Sequence, residues 1–417
     1  MNVPHDLLGS VDKSAMKRRL LVLSFIGIIL CIAAILMALF GQPGGYERDN
    51  DPFEYAWLGE SLVAGNGLQF QGTPDVILPP GFPFLVSVFG LLSKNLGVAV
   101  RLASLSGFLL CLLAFYKATN VMFGLFISRL SLVLFCGSSG VLINAVSGYA
   151  DSLFAGLMWL LVWLIAPIRR RSIFTDASFV TVWWMTFLTK PEGFLVGLLL
   201  IGFYLINQKA RLFRGSIMAI CFCILIFPYV YFLRATTGYW QLSGKSYANI
   251  VLGELDSPYQ TGGGFVNARY DIIPAIQENP TNALPVGSYM NDPRNDLVTR
   301  IPSNVINLLK ILVNQISVLG LLVILIGFKY LPLSSRWMLL GLCTPLILYS
   351  VFFYQPRLVS MYHGVFMILI ASGLFNIKER LSDFKRYPIS LIVFPSITVV
   401  IILYLIRSAV KLALQGV

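Results

Sequence analysis

The stretch LLVLSFIGIILCIAAILMALF, residues 20–40, contains no charged residue, and YERDNDPFEYAWLGESL, residues 46–62, follows it after a five-residue gap. About 20 consecutive apolar residues are needed for a helix to cross a bilayer, so residues 20–40 predict a retained transmembrane helix. The five acidic residues of the second stretch would then lie beside the membrane surface. They either solubilise a loop or form an acid site that faces a membrane-bound substrate.

The composition predicts that apolar runs of this kind dominate the chain. Of the 417 residues, 57% are hydrophobic and only 12% are charged, with a mean hydropathy of +0.78; soluble domains carry about 25% charged residues. We therefore predict an all-α, polytopic membrane protein with a single membrane domain over residues 1–417 and about eleven transmembrane helices. The predicted spans are 20–40, 97–118, 125–146, 150–167, 173–189, 192–207, 215–233, 303–327, 336–353, 357–375 and 388–407.

The net charge of +12 is explained by membrane topology rather than by nucleic acid. With the N-terminus inside, eleven crossings place 18 of the 31 basic residues but only five of the 19 acidic ones in cytoplasmic segments, as the positive-inside rule requires. All six cysteines lie in apolar runs and there are only two histidines, so we predict no disulfide framework, no metal centre and no cofactor.

Two long segments face outward in this topology, residues 41–96 and 234–302, and charged residues at the ends of several helices share that side. These helix-end residues are Asp151, Lys190, Glu192, Lys245 and Arg357. Ionisable groups at membrane depth are costly and are candidates for function. The alternative for each is an ion pair with a neighbouring helix or a contact with lipid headgroups.

Transfer of a sugar from a polyprenyl-phosphate carrier would use such a set of residues. Its leaving group is a phosphate, whose developing charge needs fixed cations; Lys245, Lys190 and Arg357 could supply them. The attacking hydroxyl of the acceptor must lose a proton to a positioned carboxylate, and Asp51 or its neighbour Asp49 has the right place for that role.

Other residues of the acidic segment receive different interpretations. Asp49, Asn50 and Asp51 have the outline of a DxD metal–nucleotide motif, but no nucleotide-binding pattern accompanies them. Glu54 and Glu60 are predicted to be solvated charges on a helix face, and Tyr55 to pack or to line the substrate pocket rather than to react.

Five pieces of the sequence resemble the GT-C membrane glycosyltransferases, in the branch of protein O-mannosyltransferases and aminoarabinose transferases. They follow the order of that family over residues 46–375. The five pieces are DPFEYAWLGESLVAGNG, PPGFPFLVSVFGLL, YADSLFAGLMWLL, LTKPEG and TGYWQLSGKSYANI.

The resemblance implies a GT-C-like helical bundle, a lipid-phosphate-linked sugar donor, inversion at the anomeric carbon and an aspartate base in the first outer loop, which falls on Asp51. It implies an acceptor that is a lipid, a glycan or a protein, and a multi-pass membrane protein whose site faces the periplasm or an organelle lumen. The motifs shared with bacterial members favour the bacterial inner membrane and the periplasm. PRLVSMYHG, residues 356–364, departs from the family pattern. Arg357 survives that comparison, and Tyr362 and His363 are further candidates for substrate contact.

Two other functions are compatible with this hydropathy. A transporter or flippase of a lipid-linked glycan would also be polytopic, but interrupted helices and charges at the membrane midplane are typical of that class. A non-catalytic membrane scaffold would tolerate the loss of Asp51 and Lys245.

Overall fold

The computed structural model of the chain describes residues 51–93, 95–166, 172–207, 212–245, 275–284, 297–351 and 356–383, together with Ile29 and Ile32. Helices make up most of these residues, as predicted. Asp49 and the predicted spans 20–40 and 388–407 lie outside this part of the chain, the two isolated residues apart, as does most of the second outer segment.

The first outer segment begins with a helix and a short β-ribbon. Helix α1 spans Asp51–Val63, strands β1 (Gln69–Phe70) and β2 (Thr73–Pro74) pair antiparallel, and helix α2 spans Gly81–Leu92. Helix α2 is apolar but only 12 residues long, too short to cross a bilayer. It packs against α1.

The next helices form the centre of the molecule. Helices α3 (Leu96–Cys136), α4 (Ser139–Val146), α5 (Asp151–Ile165), α6 (Ile173–Thr189), α7 (Gly193–Asn207) and α8 (Leu212–Thr237) follow in order. Helix α5 is buried on nearly every side, which its all-round apolar sequence predicts. It crosses α3 closely because Gly107 of α3 lies against the backbone of Leu153 and Gly156 lies against the carbonyl of Gly107; small residues allow such approaches.

The described residues of the C-terminal part, 297–351 and 356–383, form five helices. They are α9 (Leu297–Ile316), α10 (Val318–Tyr330), α11 (Leu333–Val351), α12 (Pro356–Ser360) and α13 (His363–Asp383). Helices α10 and α13 pack at two glycines, Gly327 and Gly373, which contact the backbone of the opposite helix. Helix α13 also packs against α3 and so joins this part to the centre.

The described helices include fewer candidate crossings than the hydropathy of the whole chain predicts. Helices α3 and α8 are long and apolar enough to span a membrane, and the number rises to four if each of two bent helix pairs counts as one span. The total of eleven crossings therefore stays a prediction.

Two predicted spans are broken. Residues 303–327 were expected to form one helix, but α9 and α10 meet at 97°, because Ser317 has a φ of 72° and its side chain accepts a hydrogen bond from the Gly320 amide to start α10. The predicted span 125–146 is interrupted after Cys136, where α3 ends. The following helix, α4, meets α5 at 112°. The start of that span is continuous with α3 across a kink at Gly124, which has a φ of 80°.

Candidate active site

Two ion pairs, each with a buried carboxylate, connect four of the residues selected from the sequence. Lys245 Nζ lies 3.3 Å from Asp51 Oδ1, and Lys190 Nζ lies 2.5 Å from Asp151 Oδ1. Asp51 and Asp151 are the first residues of α1 and α5, where the positive end of the helix dipole favours a carboxylate. All four side chains are candidates from the sequence, but their pairing was not predicted.

The segment that carries Lys245 is folded by the motif TGYWQLSGK. The Thr237 side chain ends α8 and accepts hydrogen bonds from the Tyr239 amide and from Gln241 Nε2, both at 3.2 Å. Gln241 Nε2 also donates to the Ala283 carbonyl at 3.1 Å, and the Lys245 amide donates to Ser243 Oγ at 3.2 Å. These bonds wrap the chain after α8 back toward α1.

The turn that carries Lys190 is held by a different set of contacts. The Lys190 amide still donates to the Thr186 carbonyl, and the Gly193 amide donates to the Lys190 carbonyl at 2.9 Å. A Cβ atom on Gly193 would lie 2.6–2.7 Å from the backbone of Thr186 and Phe187. The glycine of LTKPEG therefore lets α7 begin directly against the end of α6.

Glycines also bring the motifs together. Gly81 of α2 lies against the backbone of Leu188 and Thr189, where a Cβ atom would be 2.8–2.9 Å away. Gly148, with a φ of 81°, lies against Pro52, where a Cβ atom would be 3.2 Å from the proline Cβ. The turn before Asp151 therefore packs against the residue that follows Asp51.

Helix α1 has two different sides. Asp51, Glu54, Tyr55 and Leu58 lie on the side that faces the protein and are buried, and Tyr55 packs edge-on against Phe82 with ring centroids 4.7 Å apart. The prediction that Glu54 is solvated is wrong, because the spacing of three residues from Asp51 places both carboxylates on this side. Glu60, as predicted, is exposed.

A cavity of about 610 Å³ lies on the other side of α1. It is lined by Phe53, Ala56, Trp57 and Glu60 and by residues 95–98 and Arg101. The helical period puts these α1 residues roughly opposite Asp51, so this cavity is separate from the ion pairs.

The remaining candidates lie in different surroundings. Glu192 is half-buried in the turn after Lys190. Arg357 lies in α12, and its side chain is outside the described residues. Tyr362 and His363 are fully buried; the His363 ring contacts Ser138 Oγ through Nδ1 and Gln315 Oε1 through Nε2, the latter at 2.8 Å. The contact of each of these residues with a substrate stays a prediction.

Sequence analysis missed Asp75. It is buried, its carboxylate accepts hydrogen bonds from the Ile77 and Leu78 amides, and burial raises its pKa from 3.8 to about 6, although these bonds and the charge of Lys245 oppose the rise. The available signal was an aspartate followed by three apolar residues and two prolines, since aspartate often bonds to the backbone two residues later.

No family model and no curated protein matches the sequence, but solved structures do. Over 94% of the chain it is similar to the oligosaccharyltransferase of Archaeoglobus fulgidus in the apo form, with a TM-score of 0.60 and 13% identity. The same archaeal enzyme, AglB, in complex with an inhibitory peptide and a dolichol-phosphate gives a TM-score of 0.56 and 12% identity over 94% of the chain. The chain covers 56% of each of these two structures, about half of their length.

A third similar structure is ArnT from Cupriavidus metallidurans bound to undecaprenyl phosphate. The similarity covers 87% of this chain and 79% of ArnT, with 14% identity and a TM-score of 0.42, which is too low to support an argument. The oligosaccharyltransferase matches, by contrast, show the fold. The chain therefore has the fold of the archaeal oligosaccharyltransferase, in agreement with the helical bundle that its sequence motifs predict.

Proposed function

We propose that the protein is a membrane glycosyltransferase that moves a sugar from a polyprenyl-phosphate carrier to a lipid, glycan or protein acceptor, with inversion, on the periplasmic or luminal side of the membrane. The observation that carries this proposal is the pairing of two buried carboxylates with lysines, Lys245–Asp51 and Lys190–Asp151, in a GT-C fold. A similar archaeal structure holds a dolichol-phosphate, which supports a carrier of this class.

In this mechanism Asp51 is the general base. Its carboxylate takes the proton of the acceptor hydroxyl as the oxygen attacks the anomeric carbon, and the bond from that carbon to the phosphate oxygen breaks. Proton transfer of this kind contributes about 10²–10⁴-fold to a rate. The products are the glycosylated acceptor and the polyprenyl phosphate.

Lys245 would have two positions in this reaction. Without donor it is paired with Asp51 at 3.3 Å, and a cation at that distance competes with the proton that the carboxylate must accept. A donor phosphate that attracts Lys245 would leave Asp51 available as the base. The same ammonium would then stabilise the charge that develops on the leaving phosphate.

The experiment is transfer by the purified protein in liposomes, with polyprenyl-phosphate sugars or nucleotide sugars as donors and membrane lipids, glycans or peptides as acceptors. Asp51→Asn should lower transfer by roughly 10²–10⁴-fold. Glu60→Gln is the matched control, because it removes a carboxylate from the exposed side of the same helix. Transfer from the nucleotide sugar alone would contradict the lipid-linked donor, and unchanged transfer in Asp51→Asn would contradict the assignment of the base.

A flippase for a lipid-linked glycan is the second candidate, and the bent helix pairs favour it. Interrupted helices are typical of transporters, and α4–α5 and α9–α10 bend by 112° and 97°. His363 connects the start of α4, through Ser138, with the end of α9, through Gln315. Movement of a labelled lipid-linked glycan across liposome membranes, without any change in the glycan, would support this function over transfer.

A further inference from the structure

The turn that follows the β-ribbon is built around the buried carboxylate of Asp75. One oxygen accepts a hydrogen bond from the Ile77 amide at 3.0 Å and the other from the Leu78 amide at 3.2 Å. The Asp75 amide donates to the Leu68 carbonyl at 2.9 Å. Residues 75–78 are therefore fixed to the ribbon at one end and shaped by their own first side chain.

This turn also forms the surface on which Lys245 is placed. Gly244 packs directly on Val76: a Cβ atom at Gly244 would lie 3.0 Å from the Val76 carbonyl carbon and closer still to its oxygen. The next residue, Lys245, reaches Asp51. The position of the lysine backbone thus depends on the turn that Asp75 shapes.

The charges around Asp75 connect it to the same lysine. The charge of Lys245 acts on Asp75 and favours its ionised form, and Asp75 in turn acts electrostatically on the buried Tyr229 of α8. Lys245 therefore has two carboxylates near it, Asp51 by direct contact and Asp75 through its charge. An asparagine or serine could hold a turn of this kind without charge, and burying a charge is costly. The position of Lys245 explains why a charged residue stands there.

We propose that Asp75 is a positioning residue that keeps the Lys245 ammonium at the site when a phosphate draws it away from Asp51. This inference rests on the proposed function for the identity of the phosphate. Asp51 gives up its ion pair to act as a base, whereas Asp75 stays ionised and stays beside the lysine. The lysine then has a counter-ion in both of its positions.

The first test is Asp75→Asn, which keeps an acceptor oxygen for the turn and removes the charge. Loss of one charge-assisted interaction predicts a fall in transfer of roughly 10- to 100-fold, with an increase in KM for the donor. The thermal midpoint at pH 7.5 should be unchanged or higher, because the variant no longer buries an ionised carboxylate. Asp176→Asn is the matched control, because it removes a carboxylate from the ion pair with Arg214. It should change neither the transfer rate nor the thermal midpoint.

The second test does not depend on any transfer reaction. Lys245 is labelled with an amine-reactive reagent at pH 7.5 without donor and quantified by peptide mass spectrometry, with the exposed Lys310 as the internal reference. Asp75→Asn should label several-fold faster at Lys245, because the ammonium loses an anionic neighbour. A protein that proves not to be a transferase would leave this result intact, so the two proposals fail separately.

The outcomes that overturn the inference are specific. Unchanged Lys245 labelling in Asp75→Asn would reduce Asp75 to a turn-forming residue, as would a lower thermal midpoint with normal transfer. If that variant does not fold, the Asp51→Asn protein replaces it, in which the ion pair is absent and the Asp75 carboxylate still acts on Lys245. Its labelling ratio of Lys245 to Lys310 should change between pH 5 and pH 7 as Asp75 titrates, and a constant ratio would refute the proposal.

Discussion

Removal of Lys190 separates a structural role of its ion pair from a catalytic one. Asp151 is 1% exposed and Lys190 15%. At 2.5 Å and an effective dielectric constant of about 20, their attraction is about 7 kcal/mol, most of which offsets the loss of hydration of the two charges. Lys190→Ala leaves the buried carboxylate without its lysine, so we expect the free energy of unfolding to fall by about 3–5 kcal/mol. Lys190→Arg keeps the cation and should cost much less.

The double variant Asp151→Leu, Lys190→Met then distinguishes the two roles. Replacement of both charges by apolar side chains of similar size is often neutral or stabilising, so the thermal midpoint should return to the wild-type value or above it. Both proteins are compared in one detergent, and transfer is measured in liposomes. We expect the double variant to be stable but impaired in transfer. A wild-type thermal midpoint together with wild-type transfer in the double variant would show that the pair serves the fold alone. A wild-type midpoint in Lys190→Ala would refute the energetic reasoning.

Four further predictions address other parts of the molecule. The pKa of Asp75 is raised to about 6, so its contribution to the free energy of unfolding is present below pH 4 and should fall by up to about 3 kcal/mol as the pH rises to 6; the difference between wild type and Asp75→Asn in chemical unfolding measures it. Gly81→Ala should destabilise the protein by about 1–3 kcal/mol in the same assay, because its Cβ would meet backbone atoms that cannot move aside. A cysteine introduced at Gln71 should react with an impermeant thiol reagent outside intact cells and one at Ser172 should not; the reverse would overturn the predicted topology. Arg357→Lys should lower the transfer rate, since an ammonium cannot grip phosphate through two parallel bonds, and a normal rate would remove Arg357 from the site.

The candidate site was predictable where local sequence determines it. Asp151 begins a helix in the structure as its pattern predicts, and Lys190 stands in the predicted turn between two helices. The pair of Lys245 and Asp51 was not predictable, because these residues are 194 positions apart and the packing of Gly244 on Val76 is a contact that only the tertiary structure shows. Asp75 was missed for a related reason: its turn is local, but its importance comes from Gly244.

The helix breaks were beyond the reach of hydropathy. The runs through Ser138 and Ser317 stay apolar on average, so a window over 18–20 residues reads each of them as continuous. The bend at Ser317 depends on one residue with a positive φ and one side-chain bond to the Gly320 amide. The sequence likewise does not predict the burial of Glu54, because an exposed helix and a buried helix can have the same acidic first turn.

The pairing of Asp151 with Lys190 has a consequence for biogenesis. The ribosome makes α5, with its acidic first residue, before the lysine at the far end of α6 exists. A carboxylate without its lysine is costly to place in lipid. We therefore expect α5 to be retained in the protein-lined channel of the translocon until α6 has emerged. The two helices would then enter the bilayer together as a hairpin, and α5 alone, followed by a stop codon, should fail to integrate in a glycosylation-reporter assay.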